Sequence, residues 1–111
     1  MSQSISLLCL SVAATAAITA ETFVTAAGAP ATAGGNALGV ARSSQAIGEQ
    51  TPVDVLGTAI VIAGAAVAKD AALEVGTGGK AITASAGAVV ARALEAAGAD
   101  GDRIEVLLIA N

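Results

Sequence analysis

The sequence VDVLGTAIVIAGAAVA, residues Val53 to Ala68, decides the fold of this chain. Successive side chains of a strand point to opposite faces, and here both alternating sets are apolar, with Asp54 as the single charge. Such a strand has no face suited to water and must be covered twice, by its own domain or by a neighbouring subunit. A helix is the competing interpretation, because periodicity is ambiguous in apolar runs. Gly57 and Gly64 among β-branched residues favour the strand.

Composition indicates that the core of the chain is thin. Of the 111 residues, 55% are hydrophobic, but about half of these are Ala, and Phe23 is the only aromatic residue. A buried Leu or Ile contributes roughly 1.5–3 kcal/mol, whereas the single methyl of Ala contributes less than ~1 kcal/mol. Small domains with thin cores usually rely on a disulfide, a metal or oligomerisation. Cys9 is the only cysteine and there is no histidine, so we predict oligomerisation and expect no metal.

Charge and residue types argue against several functional classes. A net charge of −4 with only five Lys and Arg residues provides no basic cluster for nucleic acid, and aromatic stacking platforms are lacking. Without histidine, neither Cys9 nor a serine has the usual general base, and the glutamates are dispersed along the chain. We therefore expect neither an enzyme nor a cofactor, and we predict that Cys9 is a small, buried apolar residue.

Two glycine-containing motifs are predicted to be turns rather than ligand sites. The sequence GTGGK, residues Gly76 to Lys80, resembles a phosphate-binding loop. Glu74, however, stands where that loop needs its first glycine, and Ala81 stands where it needs Ser or Thr. The sequence Asp100-Gly101-Asp102 hints at calcium, but the twelve-residue loop pattern is absent. We predict a hairpin turn at the first motif and an ordinary turn at the second.

Turn signals divide the chain into about eight short segments of strand-like sequence. Regularly spaced short strands are typical of an all-β sandwich or barrel. A β-rich domain is expected at residues 18–111, preceded by an extended N-terminal arm or first strand at residues 1–17. The predicted strands are Ser4–Val12, Ile18–Ala26, Ala37–Arg42, Val53–Ala68, Ala71–Val75, Ala81–Ser85, Ala88–Leu94 and Arg103–Ile109.

The N-terminal segment, Met1 to Ala20, has features of a secretory signal, because a leucine-rich run is followed by small residues. A signal normally begins with basic residues, and no Lys or Arg precedes this run. The run is also shorter than a membrane span and is interrupted by Ser and Thr, so no membrane partner is expected. We favour a strand or docking arm. The alternative is a secreted or cell-surface β-protein, such as an adhesin or shell subunit, with a cleaved N-terminal signal.

The sequence contains a short internal repeat. The triplet VAR at 40–42 leads through a small polar loop to VDV at 53–55, and VAR at 90–92 leads through a similar loop to IEV at 104–106. This repeat predicts two equivalent strand–loop–strand units that pack around a pseudo-twofold axis.

Arg42 and Arg92 are the charged residues with a candidate interface role. Each follows a strand in the repeated pattern. The planar guanidinium group suits a carboxylate across an interface, so an ion pair between subunits is one interpretation. A solvated strand end is the alternative.

A set of short motifs, in this order along the chain, carries a family resemblance. They are Ile18–Thr25, Ala37–Ala41, Gly48–Glu49, Val53–Gly57, Ile62–Gly64, Gly79–Ala81, Ala86–Ala88, Ala91–Ala97, Gly101–Asp102 and Val106–Leu108. Together they resemble the bacteriophage capsid cement, or head-decoration, family.

The resemblance implies a small β-rich structural protein of the virion. Such a protein binds the outer surface of an assembled icosahedral capsid and stabilises it. It implies the major capsid protein and further copies of the same chain, as a homotrimer, as partners. Neither nucleic acid nor a membrane is implied, and the role requires no catalysis.

The segment before Ile18 is longer and more apolar than we expect for a member of this family. We predict that Ile5 to Val12 reaches a neighbouring decoration or shell subunit by strand addition. The candidate interface residues of this segment are Ile5, Leu7, Leu8, Leu10 and Val12.

Overall fold

The computed structural model describes residues 5–109 as an all-β protein. One short 3-10 turn, Thr77–Gly79, lies among the strands. The strands are β1 (Ser6–Ala13), β2 (Phe23–Val24), β3 (Gly39–Ala41), β4 (Gln50–Ile62), β5 (Ala72–Val75), β6 (Ala81–Thr83), β7 (Ala91–Ala93) and β8 (Arg103–Leu108).

The strands form one sheet that is nearly closed into a barrel. Their order is β2-β3-β4-β8-β7-β5-β6, and β1 pairs with β4 beside this path. Ala63, directly after β4, forms a parallel bridge with Ala81 of β6, which brings the end of the order back to its middle. The prediction of an all-β sandwich or barrel with about eight strands is therefore confirmed, as a barrel-like sheet.

Strand β4 is the thirteen-residue centre of this sheet. Its first half pairs with β1 and β3, and its second half pairs with β8. The predicted strand continued to Ala68, but the observed strand ends at Ile62, because Ala63 forms only a single bridge and residues 64–65 form a bend.

Gly57 lies where β4 changes partners. Its φ of +104° is a conformation that side chains rarely adopt, and a Cβ at this position would lie 2.2 Å from the carbonyl oxygen of Ile5. The register of β1 against β4 also shifts beside this residue, between Ser6 and Cys9. Glycine is thus required for β1 to approach the middle of β4.

The two faces of β4 are covered to different degrees. Val53, Ala59 and Val61 are buried, whereas Leu56 is 50% exposed and Ile60 is only partly covered. The first face is not fully covered either, because Val55 is only partly buried, so the expectation that both faces need a cover is met only in part within this chain.

The shorter predicted strands are confirmed in position more often than in length. Of Ile18–Ala26, only Phe23–Val24 is a strand, because Ile18 forms a single bridge to Gln45 and residues 20–22 turn. Ala88–Leu94 is likewise shortened to Ala91–Ala93.

The backbone hydrogen bonds show that the chain is an internal duplication. In the first half, Ile18 and Gln45 exchange both backbone bonds, at 2.9 and 3.0 Å. In the second half, Val67 and Ala97 exchange the same two bonds, at 3.0 and 2.9 Å. We call residues 6–56 the first repeat and residues 57–109 the second repeat.

Strand registers follow the same duplication. Ala13 lies opposite Gln50 where β1 meets β4, and Ile62 lies opposite Arg103 where β4 meets β8. The first half of β4 thus corresponds to β8, and its second half corresponds to β1. Corresponding pairs also join β2 to β3 and β5 to β7: Phe23 with Val40, and Ala72 with Arg92.

The predicted internal repeat is present, but its residue correspondence was wrong by two positions. Ala41 pairs with Val53 in the first repeat, and Ala93, not Ala91, pairs with Val106 in the second. Arg92 therefore corresponds to Val40 rather than to Arg42. The predicted correspondence was based on identical residues in the two VAR triplets. The structural correspondence is based on strand pairing, which matches different residues.

Candidate interaction surface

Strand β1 is the most exposed strand of the protein. Leu7 is 72% exposed, and Leu8, Cys9 and Leu10 are exposed as well. The prediction that Cys9 is buried was therefore wrong, because β1 lies at an edge and its side chains have little to pack against. An apolar edge strand is a surface that proteins normally cover.

The N-terminal segment is a first strand of its own chain. Residues 6–13 pair antiparallel with the first half of β4. Among residues 5–109, no strand pairs with the other edge of β1. The predicted addition of a neighbouring subunit's strand therefore stays a prediction, and β1 has an edge at which it can occur. Residues 1–4 lie outside the described part of the chain.

An apolar groove of about 500 Å³ lies beside β1. Thr25, Asn36 and Ala37 form part of its wall. The remaining lining residues are apolar and come from β1, β4 and the segments next to β2 and β3: Leu8, Leu10, Ala26, Leu38, Val55 and Leu56. Apart from Leu8 and Leu10, none of these lining residues was predicted as an interface residue, because each is an ordinary position in the sequence.

The predicted interface residues fall into three groups. Leu8 and Leu10 line the groove. Ile5 and Leu7 are exposed but do not line it, and Val12 packs partly against a small core formed by Ala14, Ile18, Val24, Ala41 and Val53. Arg42 and Arg92 lie elsewhere on the sheet, on β3's exit and on β7.

The two arginines differ in their surroundings. The Nε atom of Arg42 lies 3.7 Å from Oδ2 of Asp54, whose side chain is buried. Arg92 is exposed on β7, opposite Ala72 on one side and Leu107 on the other. The ion pair of Arg42 is thus made within the chain, and Arg92 points a charge outward among small and apolar neighbours.

Further exposed apolar side chains were missed by the sequence analysis. Ile47 is 70% exposed in the loop before β4, and Leu107 is exposed on β8. The sequence signal for Ile47 was a single large apolar residue within a polar loop. Leu107 gave no signal, because it lies in the apolar run of a strand.

Glu74 ties a loop to β5. Its Oε1 accepts hydrogen bonds from the backbone N–H of Ser85 at 2.5 Å and of Gly87 at 3.4 Å. The bond from the Ser85 amide is the main cause that holds the pKa of Glu74 below its usual value, against the opposite effect of burial. This carboxylate is therefore a structural tie.

Both predicted turns are confirmed. Gly76–Lys80 connects β5 to β6, which pair as a hairpin. In the second motif, Oδ2 of Asp102 accepts the backbone N–H groups of Gly98 at 2.9 Å and Ala99 at 3.2 Å. Its carboxylate is engaged in shaping the turn.

Residues 5–109 contain no cluster of three or more acidic or cysteine side chains arranged to hold a metal ion. The same residues include no helix that is long and apolar enough to span a membrane.

Comparison with known families decides the identity of the chain. A family model described as phage cement protein matches residues 3–108. The chain belongs to the phage cement protein family. No curated protein matches the sequence significantly.

A solved structure shows that the fold has been observed before. The cement protein is similar to the head fiber gp8.5 N base of bacteriophage phi29, seen in a crystal structure, with a TM-score of 0.75 and 20% sequence identity. The match covers 92% of this chain and 93% of that one. At this identity, the likeness shows the shared fold.

The family assignment confirms the predicted role. The cement protein is a structural, decorating protein of the phage virion, bound to the capsid at its outer surface. The family resemblance of the short sequence motifs is confirmed over nearly the whole chain. The alternative, a secreted or cell-surface protein, has no support from the family match.

Proposed function

We propose that the cement protein binds the major capsid protein, acts as a homotrimer, and reinforces the shell without catalysing a reaction. The observation that carries this proposal is the apolar, exposed strand β1, with Leu7, Leu8 and Leu10 on its surface. Soluble proteins rarely leave such a surface open, and a chain with few large core residues gains stability when it is covered.

The part of β1 outside the groove supports contact with the shell. Ile5 and Leu7 are exposed and do not line the groove. The adjacent edge of β1 is available to a strand of the major capsid protein. In strand addition, backbone hydrogen bonds supply affinity and neighbouring side chains supply specificity. Ile5 and Leu7 are the side chains that would enter pockets on the shell.

A homotrimer increases retention on the capsid. Three linked copies convert the second and third contacts into intramolecular events, so avidity exceeds the affinity of one contact by roughly 10²–10⁴. Each contact with the major capsid protein can then be small, which agrees with the short exposed segment at Ile5 and Leu7.

The test is binding to capsids that lack the protein. Purified chain is added to such heads, and bound protein is measured by co-sedimentation. Wild type should bind saturably, and Leu7→Asp should bind at least about tenfold more weakly, because a charge replaces an apolar contact. Ala66→Asp, which adds the same charge at an exposed loop position of the second repeat, should bind as wild type.

Saturable binding that Leu7→Asp leaves unchanged would remove β1 from the shell contact. Absence of binding by wild type would overturn the proposed function. Light scattering of the free protein measures its molar mass and so tests the trimer independently of capsid binding.

A further inference from the structure

The core of the second repeat is completed by side chains from the first. Phe23 and Val40 lie opposite each other on β2 and β3, and both are buried. Together with Ala31 and Ala37, they belong to the same apolar cluster as the interior of the second repeat, for example Leu73 and Val106. The first repeat thus covers the second.

No equivalent cover exists for the first repeat within residues 5–109. Four lining positions of its groove correspond to buried positions of the second repeat, but they are exposed or only partly buried. With their buried counterparts in parentheses, they are Leu10 (Ala59), Ala26 (Val75), Leu38 (Val90) and Val55 (Leu108). The groove is therefore the place where a preceding repeat would pack.

The second repeat carries the surface that would fill such a place. In the first repeat, Phe23, Val40 and Asp54 form a row across three strands, and all three are buried. The row in the corresponding position of the second repeat is Ala72–Arg92–Leu107, and all three residues are exposed. We call it the outer row.

We infer that the groove of one copy receives the outer row of a second copy, so that copies associate head to tail. This interface repeats between chains the packing that joins the two repeats within a chain. It rests on the homo-oligomer of the proposed function and names its two surfaces. A trimer requires two different surfaces on each copy, since a surface that pairs with itself closes at a dimer.

Side-chain sizes on the two surfaces are complementary. Within the chain, the large Phe23 enters a cluster that contains the small Ala59. Between chains, the outer row has the small Ala72 in place of Phe23, and the groove has Leu10 in place of Ala59. The smaller side chain on the outer row is therefore matched by a larger side chain in the groove, so the total side-chain volume at the interface is similar. The polar lining from Thr25 and Asn36 gives the guanidinium of Arg92 hydrogen-bond acceptors at the groove.

The first experiment disables one surface at a time. Leu10→Glu alters the groove and Leu107→Glu alters the outer row, both at exposed positions. Each variant alone should associate at least about tenfold more weakly in sedimentation velocity, because an unpaired charge is desolvated. An equimolar mixture should form a dimer and nothing larger, because one intact groove and one intact outer row remain. Ile47→Glu is the matched control and should associate as wild type.

The second experiment identifies the contact by crosslinking, in a Cys9→Ser background that removes the exposed native thiol. Chains carrying both Leu10→Cys and Arg92→Cys should crosslink with a short bis-maleimide into dimers and trimers. Chains with either cysteine alone should give no dimer. Leu10→Cys combined with Ile47→Cys is the control pair. The reaction is repeated on saturated heads, so that oligomers formed only on the shell are also detected.

Several results would overturn the inference: crosslinking by a single cysteine, which indicates a self-paired surface; no dimer in the mixture of glutamate variants although wild type associates in solution; or no crosslink either in solution or on heads. A chain that fails these tests but binds heads saturably leaves capsid binding standing. A chain that passes them but does not bind heads overturns the proposed function alone.

Discussion

In the first repeat, the pairing of β1 with β4 leaves Leu10 42% exposed, whereas the equivalent pairing of β4 with β8 buries Ala59. From Cys9 to Ala13 and from Thr58 to Ile62 the two pairings have the same register, and the loops beside them carry the same backbone hydrogen bonds. The difference therefore arises from what covers each repeat. The same backbone arrangement forms a closed core in the second repeat, on which the first repeat packs, and an open groove in the first repeat, on which no repeat packs.

The largest expected effect on stability comes from truncating Phe23, the side chain of the first repeat that packs in the core of the second. Phe23→Ala should lower the free energy of unfolding by about 3–5 kcal/mol, because it leaves a cavity in the shared cluster. Ala72→Ser, at the corresponding exposed position, should change it by less than about 0.5 kcal/mol. Urea unfolding measures both.

A loss below about 1 kcal/mol for Phe23→Ala would show that the second repeat does not depend on the first for its core. Coverage by the first repeat would then not explain why the core of the second repeat is closed.

The next effect concerns the junction of the repeats. Gly57→Ala combines a φ of +104° with a Cβ 2.2 Å from the Ile5 carbonyl oxygen, so it should cost about 2–3 kcal/mol and loosen β1. Gly48 and Gly101 occupy corresponding turns with φ of +90° and +96°, and open space surrounds both. Alanine at either should cost about 1 kcal/mol, by an equal amount.

Thermal unfolding of the three alanine variants checks this order. Unequal costs at Gly48 and Gly101 would mean that the corresponding turns are not equivalent in energy. Hydrogen exchange of β1 amides should rise in Gly57→Ala alone.

The smallest effect is a difference in pH response. The position of Glu74 in the second repeat corresponds to Thr25 in the first, whose hydroxyl bonds to Ala29 and does not titrate in this range. The pKa of Glu74 is lowered in the folded chain, so its ionised form stabilises the fold above the ordinary value of 4.5. This contribution should be lost as the pH falls below about 4.5 toward the lowered value.

Glu74→Gln keeps an acceptor for the Ser85 amide but cannot ionise. It should be slightly less stable than wild type near pH 7 and should lose less stability between pH values of about 5 and 3. Denaturant unfolding at several pH values measures this. An acid response that is the same in both proteins would assign the sensitivity to other carboxylates.

The sequence predicted strands and turns well where the local residue types determine the backbone conformation. The GTGGK turn, Gly57 within β4, and the final strand at Arg103–Leu108 follow from glycine and from β-branched residues. The correspondence between the repeats could not be predicted, because it is carried by backbone bonds such as that of Glu21 to Ala41, which place few constraints on side chains.

The interface was predicted only in part, for a physical reason. Leu8 and Leu10 stood out as large apolar residues in a small-residue chain. Ala72 and Leu107 are ordinary strand residues, and their exposure depends on which repeat lies next to them. Exposure of this kind is a property of the packing of whole units, which periodicity does not record.

The single strand β4 belongs to both repeats, with Gly57 at the point where it passes between them. No flexible linker separates the two halves. Inter-strand hydrogen bonds lie perpendicular to antiparallel strands, so tension along β4 loads the ladders with β1 and β8 in shear, across many bonds at once. A protein that decorates the outside of a capsid can therefore pass a pulling force from one repeat to the other through one continuous strand in the middle of its sheet.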